Sequence, residues 1–146
     1  MARITLERRD SYVDTRRRFG WLDGTFASGE RTAGETVPPI DVLDTDAGVE
    51  IIVDVPGVDV SSVAVMFRDN TVLVSGVKRP AHCRHGQAAF HLAERGFGRF
   101  ARAVKLSGAF DTGAATATLA SGELRIILPR REERRGQEIR IPVEGR

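Results

Sequence analysis

The fold is decided by the stretch ATLASGELRIILP, residues 117–129. Apolar residues recur at every second position on either side of Ser121-Gly122, a pair that favours a tight turn. A period of two is typical of a strand that buries one face, and Pro129 ends the second run because proline has no amide hydrogen to donate. The stretch therefore predicts two antiparallel strands joined by a hairpin.

The same period recurs upstream. Its clearest example is the alternation of Val49, Ile51, Val53 and Val55, which Pro56-Gly57 ends. Shorter runs with this period lie at residues 63–67, 72–74 and 100–106. Several short strands without a long helical pattern indicate an all-β fold, an immunoglobulin-like antiparallel β-sandwich.

Two segments of different composition flank the predicted sandwich, which spans residues 37–129. Residues 1–36 contain clustered arginines and glycines with isolated large apolar residues, so this N-terminal arm is expected to be flexible. Residues 130–146 form a polar C-terminal extension that is also expected to be flexible. Within it, Ile139 and Ile141 would point the same way in an extended chain, which is typical of a peptide that docks on a sheet edge.

The overall composition excludes several classes of protein. The 146 residues include 22 basic and 20 acidic ones, a formal net charge of +2. Cys83 is the only cysteine, so no disulfide can form within the chain. Residues 1–30 contain no apolar run that resembles a signal peptide, and no stretch is apolar enough to span a membrane. A cytoplasmic location is therefore expected.

Five motifs, in their order along the chain, resemble the small heat-shock protein family, which is built on the α-crystallin domain. They are the D-x-P-G turn at residues 54–57, the strand at 70–76, the E-R-x-x-G-x-F-x-R run at 94–102, the signature at 117–124 leading into 128–130, and the I-x-I pair at 139–141. The resemblance covers residues 37–141. The sequence departs from the family pattern at Ser107, Glu123 and Arg130, and Glu123 is expected to face solvent at the hairpin.

The resemblance implies a chaperone that holds partly unfolded proteins without ATP and prevents their aggregation under stress. It also implies a homo-oligomer of dimers that exchange a strand, here near residues 90–94. Phe90, Glu94 and Arg102 are expected at that interface, with Arg102 of one chain paired with Glu94 of the other. Because Arg102 shares a predicted face with apolar residues, its charge requires a partner; the alternative is that its guanidinium reaches water at a sheet edge.

Two apolar surfaces are expected to make contacts outside the sandwich. In the N-terminal arm, the residues expected to bind clients are Phe19, Trp21, Leu22 and Phe26. The second surface is a groove between two strands, formed by Val63, Val65, Phe67, Ala117 and Leu119. In the resting assembly, Ile139 and Ile141 of a neighbouring chain are expected to fill this groove.

Motifs for enzymatic or cofactor chemistry are lacking. The sequence has no phosphate-binding G-x-x-x-x-G-K loop, no G-x-S-x-G turn and no H-E-x-x-H pair. His82, Cys83 and His85, with His91 beyond, have zinc-type side chains, but their spacing fits no standard finger and favours a polar loop without a metal. No cofactor is expected, and no nucleic acid, since acidic residues interleave with the arginines of the arm.

Two other classes of protein remain as alternatives. A co-chaperone of the related CS-domain type would bind an ATP-dependent chaperone instead of clients, although its sandwich lacks the exchanged strand and the I-x-I pair. A structural or nucleic-acid-binding sandwich would be recognised by a steep salt dependence of oligonucleotide binding.

Overall fold

The computed structural model describes residues 35–80 and 86–132. The strands are β1 (Ile40–Thr45), β2 (Gly48–Asp54), β3 (Ala64–Arg68), β4 (Thr71–Lys78), β5 (Gly98–Lys105), β6 (Thr116–Ala120) and β7 (Glu123–Pro129). They form two antiparallel sheets, one in the order β1-β2-β7-β6 and the other in the order β3-β4-β5. Single 3-10 turns at Val60–Ser62 and Thr112–Ala114 precede β3 and β6. This arrangement confirms the all-β sandwich.

The predicted hairpin joins β6 to β7. Leu119 lies opposite Leu124, and the two turn residues both have a positive φ, 51° at Ser121 and 79° at Gly122. Two consecutive left-handed residues match the twist of the flanking strands, which is why a Ser-Gly pair suits this position. Glu123, at the start of β7, is exposed as expected.

The core lies between the inner faces of the two sheets. β7 shows the period of two clearly, because Leu124, Ile126 and Leu128 are buried while Glu123, Arg125 and Ile127 between them are exposed. In β2 the buried residues are Val49, Ile51 and Val53. Phe100 on β5 is among the largest fully buried side chains, and it faces Gly76 on β4 because a Cβ at Gly76 would lie 2.6 Å from its ring.

β4 differs from the other strands because both of its faces are buried. Residues 71–76 are all buried. Val72 and Val74 belong to the core, whereas Leu73 and Ser75 point to the outer side of the three-stranded sheet and are each 1% exposed. The nearly unbroken apolar run at residues 72–77 indicates burial of both faces of β4. A strand that is buried on both faces shows no alternation of apolar and polar residues.

Candidate functional site

Each sheet ends in a short strand, β3 in one sheet and β6 in the other. Among the described residues, β3 pairs only with β4, and β6 pairs only with β7. The β1 and β5 edges lie together, because Arg102 on β5 bonds to Pro38 just before β1. β3 and β6 therefore border the opposite side of the sandwich.

The side chains along these two edges are apolar and incompletely covered. Four of the five predicted groove residues are partly buried and pack against the core: Val63, Val65, Phe67 and Leu119. Ala117 is exposed. The Phe67 ring meets Phe110 edge to face, with centroids 6.4 Å apart, and the Arg130 guanidinium lies 5.5 Å from the Phe110 centroid. The two edge strands thus carry apolar side chains that are only partly covered.

Arg102 lies on the inner face of β5, opposite Val74, as the sequence pattern predicts. Its side chain is 8% exposed, so it does not reach open water, and its Nη1 donates a hydrogen bond of 2.6 Å to the carbonyl oxygen of Pro38. This partner was missed from the sequence, although Pro38-Pro39 marks an extended segment whose carbonyls cannot all be used in a regular ladder. A guanidinium has five N–H donors, so it can bond to several acceptors at once.

The segment predicted to be exchanged between chains forms no strand in this single chain. Residues 90–94 are irregular, and all of them are exposed. Phe90 is 87% exposed and Leu92 73%. The pairing of Glu94 with Arg102 involves a second chain and stays a prediction.

Several predicted residues lie outside the described part of the chain. They are the arm residues Phe19, Trp21, Leu22 and Phe26, the tail residues Ile139 and Ile141, and the loop residues His82, Cys83 and His85. His91 is described and exposed. Within residues 35–80 and 86–132, no group of three or more His, Cys, Asp or Glu side chains could hold a metal ion. In the same ranges, no helix is long and apolar enough to cross a membrane.

One carboxylate near the groove has a perturbed pKa. Asp59 caps the 3-10 turn that leads into Val63, and its Oδ1 accepts hydrogen bonds of 2.8 Å from both the backbone N–H and the hydroxyl of Ser61. These bonds favour the ionised carboxylate, so they lower the pKa of Asp59 below its ordinary value of 3.8, with a small further contribution from the Arg79 charge. The ionised form of Asp59 therefore caps the 3-10 turn that precedes β3.

The sandwich and the sequence motifs agree with one known family. Residues 41–144 match the family model described as the Hsp20/alpha crystallin family. The chain belongs to this family.

Individual family members align over most of the sequence. Small heat shock protein C2 of Rickettsia felis is 26% identical over 121 residues, which cover 83% of this chain and 77% of that protein. Spore protein SP21 of Stigmatella aurantiaca is 34% identical over 109 residues, 75% of this chain and 64% of that protein. The chain thus spans less than two thirds of this second relative.

A solved family structure has the same fold. The crystal structure of a small heat-shock protein from Xylella fastidiosa, described as revealing a distinct high order structure, superposes with a TM-score of 0.63 at 25% identity. The match covers 75% of this chain and 98% of that one. It confirms the α-crystallin fold deduced from the sequence motifs.

Proposed function

We propose that this small heat-shock protein is an ATP-independent holdase of the cytoplasm, which binds partly unfolded proteins and prevents their aggregation. The observation that carries the proposal is the partly buried apolar surface of the edge strands β3 and β6, formed by Val65, Phe67 and Leu119. An unfolding client exposes apolar segments, and these edge strands offer matching apolar area. Such binding requires no nucleotide.

The same groove regulates the resting assembly. Ile139 and Ile141 of a neighbouring chain occupy it until stress demands client binding. Each isoleucine contributes about 1.5–3 kcal/mol when fully buried, which is small enough for chains to exchange. Exchange uncovers the groove, and the large apolar residues Phe19, Trp21, Leu22 and Phe26 of the arm add a second, adaptable client-binding surface.

The building block of the assembly is a dimer. The exposed side chains of Phe90 and Leu92 support this, since both leave water when residues 90–94 pair with a second chain. Glu94 then approaches the buried Arg102, whose guanidinium donates charge-assisted hydrogen bonds to the carboxylate. The pairing places a carboxylate beside a guanidinium that lies on the inner face of β5.

The decisive experiment is light scattering from a heat-labile enzyme warmed with and without this protein, with no nucleotide added. Suppression near one chain per client supports the holdase. The double variant Val65→Ser and Leu119→Ser should suppress scattering several-fold less well. The matched control is Ile127→Ser, which removes a 45% exposed apolar side chain from the outer side of β7 and should leave suppression unchanged.

The opposite result has a definite meaning. If scattering is unchanged at all temperatures and ratios, the holdase proposal is wrong. Binding to an ATP-dependent chaperone would then identify the co-chaperone alternative, which shares the sandwich but holds no client.

A further inference from the structure

One end of the sandwich contains a cavity of about 260 Å³. It lies where the segment before β1 meets the turn after β2, and Phe100 on β5 lines it from the core. A volume just below the about 300–1,000 Å³ of typical small-ligand sites suits a single ring or a short aliphatic chain. The other apolar residues of the wall are Val37, Pro38, Pro39, Val55, Pro56 and Val58.

The wall formed by residues 36–39 is held in place at both of its ends. The N–H of Thr36 donates a hydrogen bond of 3.0 Å to the carbonyl of Arg99 on β5. The N–H of Asp54, at the end of β2, donates one of 3.0 Å to the carbonyl of Pro39. Proline also restricts the backbone, because its ring fixes φ. A wall that is ordered before a ligand binds lowers the entropy lost on binding.

The cation that lines the cavity is Lys78, the last residue of β4. Val72 and Val74 face the core, and every second residue of a strand shares a face, so Lys78 also lies on the core-facing side. It is half-buried, and its Nζ lies 5.8 Å from the centroid of the Phe97 ring. None of the ion pairs among the described residues includes Lys78. A carboxylate would give this ammonium a charge-assisted hydrogen bond in addition to its contact with the ring.

Neighbouring groups also favour an anion at this position. Thr36 lines the cavity, and its hydroxyl can donate a hydrogen bond to an oxygen atom. The guanidinium carbon of Arg95 lies 5.0 Å from the centroid of Phe97, so a second positive charge borders the ring that Lys78 contacts. Asp54 is the acidic residue of the wall, but it is exposed and alternates with the buried residues of β2. Its carboxylate therefore lies on the outer side of the sheet.

We propose that this cavity binds a small apolar carboxylate. The ring or chain of the ligand lies against Phe100 and Val58, and the carboxylate accepts hydrogen bonds from the Lys78 ammonium and the Thr36 hydroxyl. Burial of the apolar part drives binding, and the charged end fixes the orientation of the ligand. Two sources carry this chemistry, a free organic acid and the C-terminal carboxylate of a polypeptide that ends in an apolar residue. The site goes beyond the holdase activity and does not depend on it.

Protection of a lysine tests the proposal in the unmodified full-length chain. Lys78 and Lys105 are the only lysines, and Lys105 is exposed on β5, so it is an internal control. The chain is acetylated with an N-hydroxysuccinimide ester, with and without 3-phenylpropionate, and mass spectrometry gives the rate at each lysine. At about ten times its Kd the acid occupies most cavities, so acetylation of Lys78 should slow about tenfold while Lys105 is unaffected. An unchanged rate at Lys78 would overturn the proposal, and this is the result expected if a second chain already covers the cavity.

Two further probes separate the apolar part of the ligand from its charge. Acetate has the carboxylate without the ring, and 3-phenylpropanol has the ring without the charge. Neither should protect Lys78 at the concentration at which 3-phenylpropionate does. If acetate protects equally well, Lys78 is only a surface cation. If 3-phenylpropanol protects equally well, the carboxylate makes no contact, and either result contradicts the proposal.

Variants assign the residues, with the Kd for 3-phenylpropionate measured by isothermal titration calorimetry. Lys78→Met keeps the aliphatic stem without the charge and should raise the Kd about tenfold. Thr36→Val removes only the hydroxyl and should raise the Kd about threefold. Lys105→Met is the matched control and should leave it unchanged. A Kd that is the same for Lys78→Met as for the unmodified chain would contradict the assignment, and circular dichroism confirms that each variant is folded.

A pair of peptides identifies the source of the carboxylate. Both are Gly-Ser hexapeptides that end in Phe, one with a free C-terminal carboxylate and the other with a C-terminal amide. Protection of Lys78 by the carboxylate peptide alone supports a site for polypeptide C-termini. Protection by 3-phenylpropionate but by neither peptide supports a site for a free acid. Because the readout is a lysine modification rate, the proposal can fail while suppression of client aggregation succeeds, and the reverse.

Discussion

Arg102 and Pro38, 64 positions apart in the sequence, are joined by a hydrogen bond of 2.6 Å from the guanidinium Nη1 to the carbonyl oxygen. The bond ties the inner face of β5 to the segment that leads into β1, and so closes one side of the sandwich. It also gives a hydrogen-bond acceptor to the charged guanidinium of Arg102, a residue that is only 8% exposed. The same side chain is the one proposed to pair with Glu94 of a second chain.

Removing the Arg102 side chain should destabilise the domain strongly. Arg102→Ala leaves the Pro38 carbonyl without its donor in a buried setting, and we expect the free energy of unfolding to fall by about 2–3 kcal/mol. Chemical denaturation followed by circular dichroism measures it. Arg125→Ala is the matched control, because its ion pair with Glu50 lies at the surface and is worth less than about 1 kcal/mol. If the two substitutions lower the free energy of unfolding equally, the buried hydrogen bond of Arg102 does not contribute the stability expected of it.

The sequence was sufficient for the parts of the fold that depend on local chemistry. The Ser121-Gly122 turn and the alternation of Leu124, Ile126 and Leu128 predicted the β6-β7 hairpin, since turn type and register are set by neighbouring residues. The inward orientation of Arg102 was predicted by the same periodicity.

The features that the sequence did not predict depend on contacts between segments that are distant along the chain. A period of two tells which residues share a face but not which carbonyl lies nearby, so the Arg102 bond to Pro38 could not be deduced. The same limit applies to Leu73, whose outward orientation suggests exposure although it is 1% exposed. The arm and tail residues of the predicted site lie outside the described residues and remain predictions.

Gly48 should tolerate no side chain. It begins β2 opposite Pro129, and a Cβ at this position would overlap the Leu128 carbonyl oxygen and lie 2.8 Å from the Cα of Pro129. Both are backbone atoms of β7 and cannot rotate away, so Gly48→Ala should lower the free energy of unfolding by about 3 kcal/mol. Thermal melts of Gly48→Ala and of Gly86→Ala, where a Cβ meets nothing within 4 Å, provide the comparison. If the two variants melt at similar temperatures, Gly48 does not lie so close to the β7 backbone.

Asp59 should make stability depend on pH in the acid range. Its pKa is lowered in the folded state by the hydrogen bonds from Ser61, so the ionised form is favoured by folding. The stabilisation is present above the unfolded pKa, which is near 3.8, and is lost as pH falls through the lower folded pKa. Asp59→Asn, which still accepts hydrogen bonds but carries no charge, should be less stable than the unmodified chain at pH 7. The difference should vanish below the folded pKa, and a difference independent of pH would exclude the charge as its cause.

The exposed pair Phe90 and Leu92 should control dimer formation. Replacing both by Ser removes the apolar area that the dimer would bury, so the chain should become monomeric at micromolar concentration. Mass measurement by light scattering after size-exclusion chromatography is the test. Val60→Ser removes a 69% exposed apolar side chain from the 3-10 turn and should leave the mass unchanged. A dimer that survives the Phe90 and Leu92 substitutions would place the interface elsewhere.

The tail isoleucines should control assembly above the dimer. Ile139→Ala with Ile141→Ala removes the side chains proposed to fill the groove beside Val65 and Leu119, and the assembly should shift to dimers in native mass spectra. Leu119→Ser with Val65→Ser removes the apolar side chains of the groove that would receive these isoleucines, and it should also give dimers. A variant with all four substitutions should show the same dimers and no further dissociation, because the groove and the tail act through one contact. If the two double variants instead give different species, the tail and the groove do not meet, and the oligomer is held together by another surface.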